Sequence, residues 1–189
     1  MRHNCLMTTK LRPTARDAII ESAFAVLSRD PGASLSEIAD RAGVGRATLH
    51  RHFAGRDELI RALALIAIAE MDEAADVATR NAPTYAEAIR QLFQALIPLA
   101  NRHSFLAGEP IEDDPKVAAE FRRQAEEMSE LIDAAKEEGL FDPAIPTHWI
   151  VQAFDHLLYA GWESVYAEET TAKQAADLAW RTLTKGVGA

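Results

Sequence analysis

Residues 34–59, SLSEIADRAGVGRATLHRHFAGRDEL, set two short helix patterns on either side of a glycine and run on into a third helix, an order that few folds accommodate. Ser34 with Glu37 three positions later has capping-box spacing, so a helix is expected over about residues 35–42 with Leu35, Ile38, Ala39 and Ala42 on its apolar face. Gly43 can take the left-handed backbone that ends a helix, Val44 turns inward, and Gly45 lets the next helix begin at once. Over about residues 46–53, Leu49 and Phe53 lie four apart and point to the core. Arg46, Ala47, Thr48, His50, Arg51 and His52 are left on the outside.

That outer face is small, basic and rich in hydrogen-bond donors, which suits a helix entering the major groove of DNA. Arg51 can give two parallel hydrogen bonds to guanine O6 and N7, Thr48 can meet a thymine methyl or a phosphate, and Ala47 permits close approach. Arg46, His50, His52 and Arg56 are placed for phosphates. A basic cluster alone reads as a solvated face on a small bundle. Here the glycine turn, the buried Leu49 and Phe53 spacing and the basic face coincide, and together they point to double-stranded DNA as partner.

The same residues resemble the DNA-binding segment of TetR-type bacterial transcriptional regulators, over a whole three-helix unit that occupies roughly the first third of the chain. The family usually carries Tyr where this chain has His50, and often Ser at Gly45 and Lys at Arg56. The resemblance implies an all-α fold: an N-terminal helix-turn-helix unit with its arm, residues 1–61, joined by a long helix to a ligand-binding and dimerisation bundle, residues 62–189.

The overall negative charge looks wrong for a DNA binder until it is divided. Residues 1–61 hold ten Lys and Arg against seven Asp and Glu, and the rest ten against twenty-two, so the basic charge sits with the motif. An acidic body repels DNA and confines phosphate contact to the N-terminal unit. Arg2, His3, Lys10, Arg12 and Arg16 form either an arm along the DNA backbone or a merely soluble terminus. The lone Cys5 excludes an internal disulfide framework and fits a reducing cytoplasm. No signal peptide is evident, and the most apolar run, residues 62–69, is too short for a membrane span.

Beyond the motif, helical periodicity continues without a convincing strand. Helices are expected over about residues 14–28, 57–80, 84–103, 115–138, 147–168 and 170–185. The fourth helix of the chain, at 1.5 Å per residue, would run about 36 Å and could link two functions mechanically. Its stretch ALALIAIA lacks a polar face, which implies burial on several sides. Pro98 should kink or end the next helix, and a bend inside a bundle can leave a cavity.

Phe93, His103, Phe105, Phe121, Met128, Trp149 and His156 are the candidate lining of a ligand pocket, because they combine apolar surface with a few polar handles. Any such residue at helical spacing can equally be plain core. Gln152, Asp155, His156, Tyr159 and Glu163 make a polar stripe that either orients a ligand or marks where two apolar faces part. No Glu or Asp precedes any histidine by three residues, and no hydrolase or phosphate-loop motif occurs, so no catalytic residue, metal or cofactor is expected.

The resemblance further implies a homodimer paired through the last two long helices, with a recognition helix in each of two successive major grooves. Phe154, Leu158, Gly161, Trp162 and Val165 are the residues this would assign to the interface. Three readings follow: a repressor released by a small, mostly apolar molecule; a constitutive DNA-binding protein; and a ligand-binding bundle with a vestigial DNA motif.

Overall fold

The computed structural model describes residues 14–99, 102, 105, 106, 111 and 113–187. His103, Cys5 and the arm residues Arg2, His3, Lys10 and Arg12 lie outside the described residues.

Local signals explain most helix ends. Helix α1 (Ala15–Leu27) opens on a capping box in which the Thr14 hydroxyl accepts from Asp17 N–H at 3.2 Å and the Asp17 carboxylate accepts from Thr14 N–H at 3.0 Å. Helix α2 (Leu35–Arg41) repeats the device with Ser34 and Glu37. It closes on Gly43 at φ 67°, where Val44 N–H reaches back to Ala39 O at 3.0 Å, the reverse bond that satisfies a last-turn carbonyl. Helix α3 (Arg46–His52) starts directly from Gly45, and helix α4 (Arg56–Thr79) follows.

Of the apolar run 62–69 in α4, Leu63, Ala64, Ala67 and Ile68 are buried and only Ala69 is exposed, in keeping with the missing polar face over all but its last residue. One hydrophobic core packs Ile19, Phe24, Ile38, Leu49, Phe53 and Leu59 of the first helices together, and it also takes in Phe105, Ile111 and Val117 from beyond α4.

The second core belongs to α5 (Tyr85–Leu96), α6 (Pro115–Glu137), α7 (Thr147–Tyr166) and α8 (Ala172–Val187). Pro98 acts as expected: α5 stops at Leu96 and a single 3-10 turn, Ile97–Leu99, follows. The Leu96 carbonyl at this break accepts a hydrogen bond from the Trp162 indole N–H at 2.9 Å. One residue earlier on α7, a β-carbon at Gly161 would meet Ile97 Cδ1 at 2.7 Å, so the glycine admits Ile97 and lets α7 close over the break. Of the helix predicted over residues 84–103, residues 85–99 are therefore an α-helix followed by a 3-10 turn held by α7, and residues 100, 101 and 103 lie outside the described residues.

Candidate nucleic-acid interface and bundle cavity

The α2–α3 turn presents α3 to solvent along one side. Leu49 and Phe53 are buried, while Arg46, Ala47, His50 and Arg51 are exposed and Thr48 and His52 half-exposed. This is the division that the four-residue spacing predicts. Phe53 is roofed by Arg16 of α1, whose guanidinium carbon stands 5.6 Å from the ring centre. Arg16 thus belongs to the helical unit and not to a trailing arm.

Arg56 is differently employed from its expected role at phosphates. Its guanidinium donates to Ala33 O at 2.6 Å and to Pro31 O, which ties the start of α4 to the turn between α1 and α2. A fork bonded to two carbonyls is a brace, since those donors point into the protein. Beside it, at the start of α4, the backbone N–H of Ala54 donates to the Glu58 carboxylate at 2.6 Å.

In the bundle a cavity of about 550 Å³ lies among α4, α5, α6 and α7, within the range of small-molecule sites. Its walls include Met71, Ala75 and Thr79 of α4, Leu92 and Leu96 of α5, Phe121, Met128 and Leu131 of α6, and Val151, Phe154, Leu158 and Trp162 of α7. Asp72, Asp76, Glu127 and Asp155 add carboxylates to this apolar lining. Surrounding protein desolvates the Asp155 carboxyl and pushes it up to about 6, against a smaller downward pull from neighbouring His156.

Of the residues expected to line a pocket, Phe121 and Met128 do so. Phe93 is fully buried and packs on Phe154 with ring centres 4.5 Å apart, and Phe105 meets Phe24 edge-on at 5.3 Å in the first core, so both are structural filling. Trp149 is 62% exposed and does not line the cavity, and His156 is exposed with Nδ1 2.8 Å from Gln152 O. The α4 wall went unpredicted, although Met71, Ala75 and Thr79 recur every four residues beside Asp72 and Asp76, a small-and-acidic stripe visible in the sequence.

The residues assigned to a dimer seam are also relocated. Phe154, Leu158, Gly161 and Trp162 are buried inside this single chain, against the cavity, α5 and α8, and Val165 packs half-buried on the second core. Helical geometry gives α7 two apolar sides, and the side bearing Trp162 faces inward. The outward side carries Trp149, Tyr159 and Tyr166, each 45% exposed or more, with Leu178 of α8 also exposed.

Between the two regions stands Arg102, only 8% exposed. It donates to Glu70 of α4 at 2.5 Å and to Glu21 of α1 at 2.8 Å, with its guanidinium carbon 4.0 Å above the Phe24 ring. Burial works against its charge, but the hydrogen bonds to Glu70 and Glu21 outweigh it and hold the guanidinium firmly protonated. Four residues on, Leu106 both lines the cavity and packs against the first core.

Comparison with known proteins bears on both regions. Residues 19–63 match the model of the family described as bacterial regulatory proteins, tetR family. The chain is 32% identical over 177 residues, 93% of its length and 92% of the relative's, to the HTH-type transcriptional repressor LfrR of Mycolicibacterium smegmatis. Among solved structures, LfrR from Mycobacterium smegmatis in complex with proflavine superimposes with a TM-score of 0.78 at 31% identity, covering 93% of this chain and 97% of that one. The ketosteroid transcriptional regulator KstR2 of Mycobacterium tuberculosis shares the fold with a TM-score of 0.80 at 18% identity, covering 95% of this chain and 97% of that one.

Proposed function

The chain belongs to the tetR family of bacterial regulatory proteins and is a helix-turn-helix transcriptional regulator; from that premise we propose that it is a ligand-responsive repressor, released from DNA by a small, mostly apolar molecule. Residues 1–61 form the reading unit in this proposal and residues 62–189 the sensing and dimerising bundle. Arg51, Thr48 and Ala47 face base edges, and Arg46, His50 and His52 hold phosphates.

One observation carries the switch. Helix α4 is a single uninterrupted helix of 24 residues whose first turns, at Leu59 and Ile60, sit in the core behind α3 and whose last turns form the cavity wall. An occupant that presses on Met71 or Ala75 acts on a lever rooted under the reading helix. Arg102 and Leu106 supply a second connection from the same wall to α1. Occupancy alone changes nothing: to shift the protein from 99:1 bound to 1:99, the molecule must prefer the released arrangement by about 10⁴-fold. The complex of the relative LfrR with proflavine supports a flat polycyclic molecule as occupant.

One short reading helix specifies few bases, so two copies are needed, with half-sites about 34–36 Å apart or a little more on a palindromic operator. The outward face of α7 and α8, at Trp149, Tyr159 and Leu178, is the surface proposed for pairing, because large apolar groups are otherwise left in water.

A gel shift on the DNA flanking the protein's own gene, repeated with the small-molecule fraction of a cell extract, tests the reading. A retarded band that Arg51→Ala removes and an extract fraction releases is the expected result. A band that persists with every fraction makes the protein a constitutive DNA binder, and no band on any flanking segment overturns the proposal.

A further inference from the structure

Arg102 is the one buried polar or charged side chain among the described residues, and its two carboxylate partners hold it unequally. Toward α4 it makes two contacts with Glu70, Nε to Oε2 at 2.5 Å and Nη2 to Oε1 at 3.4 Å, and the Glu70 side chain is 38% exposed. Toward α1 it makes a single contact, Nη2 to Glu21 Oε1 at 2.8 Å, and that side chain is 64% exposed. A two-point contact fixes orientation as well as distance, and in drier surroundings the attraction between charges is stronger. The limb on α1 has neither advantage.

Release is therefore cheaper at one end than at the other. Glu21 already stands largely in water and regains its hydration on letting go, while Arg102 keeps Glu70. Letting go of Glu70 instead would leave a buried cation on one exposed carboxylate. The remaining contacts of this segment with α1 are ring contacts, Arg102 over Phe24 and Phe105 edge-on to Phe24. They tolerate a small slide, whereas a hydrogen bond at 2.8 Å is lost within about 1 Å of travel. Leu106, four residues after Arg102, lines the cavity, so an occupant that displaces Leu106 pulls on the same stretch of chain.

We infer that Arg102 is a positioning residue for DNA reading: a latch with a fixed end at Glu70 of α4 and a releasable end at Glu21 of α1, closed in the reading pose and opened when Leu106 is displaced. This rests on the proposal that the chain is a DNA-binding regulator with its effector in the cavity. It adds the point at which the connection between cavity and reading unit gives way.

Because removing Arg102 itself would strand Glu70, Glu21→Gln carries the test on the full chain. Dyes at Arg29→Cys, just past α1, and Glu130→Cys on α6, both exposed positions, in a Cys5→Ser background, report the distance from reading unit to bundle by single-molecule energy transfer. Glu21→Gln should widen or shift that distance distribution, keep Tm within about 2 °C of the parent, and weaken operator binding about tenfold or more. Losing a negative charge by itself strengthens contact with any DNA, so weaker operator binding with unchanged or tighter binding to random sequence marks a lost pose and not an electrostatic effect. Glu70→Gln should instead lower Tm by about 5 °C or more. An unchanged distance distribution in Glu21→Gln, or a Tm loss as large as that of Glu70→Gln, overturns the latch. If the parent retards no flanking DNA while the distance responds as expected, the regulator reading falls and the latch stands as a mechanical joint.

Discussion

The two cores of this protein are built to different standards of completeness. In the reading unit, short helices α1, α2 and α3 close on each other through two capping boxes and a glycine turn, and Phe24, Leu27, Ile38 and Leu49 have almost no exposure. In the bundle, long helices surround a void of about 550 Å³ and leave Trp149, Tyr159, Tyr166 and Leu178 in solvent. The difference fits the two tasks proposed above: a recognition helix must hold a fixed pose, whereas a bundle that senses a ligand and pairs with a second copy needs unfilled space and uncovered surface.

The sharpest contrast is within one helix. Trp162→Glu places a charge where the parent side chain is 2% exposed and bonded to Leu96 O, and should cost more than about 4 kcal/mol, so that circular dichroism shows loss of the native helical signal. Trp149→Glu, at a 62% exposed position, should keep the helical signal and give monomers in sedimentation. A folded dimer with Trp149→Glu would place the pairing surface elsewhere.

Next in size is the difference in packing. Phe53→Ala in the reading unit should destabilise by about 3–5 kcal/mol, because its surroundings cannot collapse into the space. Met128→Ala, on a wall that already faces a void, should cost less than about 1.5 kcal/mol by urea melts. Equal costs would mean that the cavity is filled in solution.

Arg56 and Arg51 separate brace from reader. Arg56→Ala removes the bonds to Ala33 O and Pro31 O and should lower stability by about 1–3 kcal/mol, with Arg56→Lys a poor rescue because a single ammonium cannot reproduce the fork. Arg51→Ala should leave the melt within about 0.5 kcal/mol of the parent yet lose about 1–3 kcal/mol of discrimination at one base position. An unchanged melt for Arg56→Ala would return that residue to the DNA surface.

The smallest effect belongs to Asp155. Its folded carboxyl holds a proton up to about pH 6, above the ordinary 3.8, so the folded chain binds more protons than the unfolded one in that window. Stability from this group is therefore full below about pH 4, declines as pH rises to about 6, and stays reduced above it. Asp155→Asn should raise Tm by roughly 1–2 °C at pH 7.5, a modest figure because the carboxyl also reaches solvent, and by nothing at pH 3.5. A gain of the same size at both pH values would rule out ionisation as its source.

The reading unit was legible in the sequence because everything that shapes it is local. Ser34 with Glu37, Gly43, and Leu49 with Phe53 are pairs or single residues within one or two helical turns, and each one dictates its own geometry through a cap, a positive φ or a face. Pro98 likewise announced the break after Leu96. What the sequence could not decide is which of two apolar sides of α7 turns inward. That choice depends on the Trp162 indole finding Leu96 O, a partner 66 residues away, and on Gly161 admitting Ile97. The bridge from Arg102 to Glu21 spans 81 residues and was equally invisible. Periodicity states how much of a helix is apolar, but only packing against particular neighbours states which atoms it covers, and so the cavity, the brace at Arg56 and the uncovered face around Trp149 were settled by the tertiary structure alone.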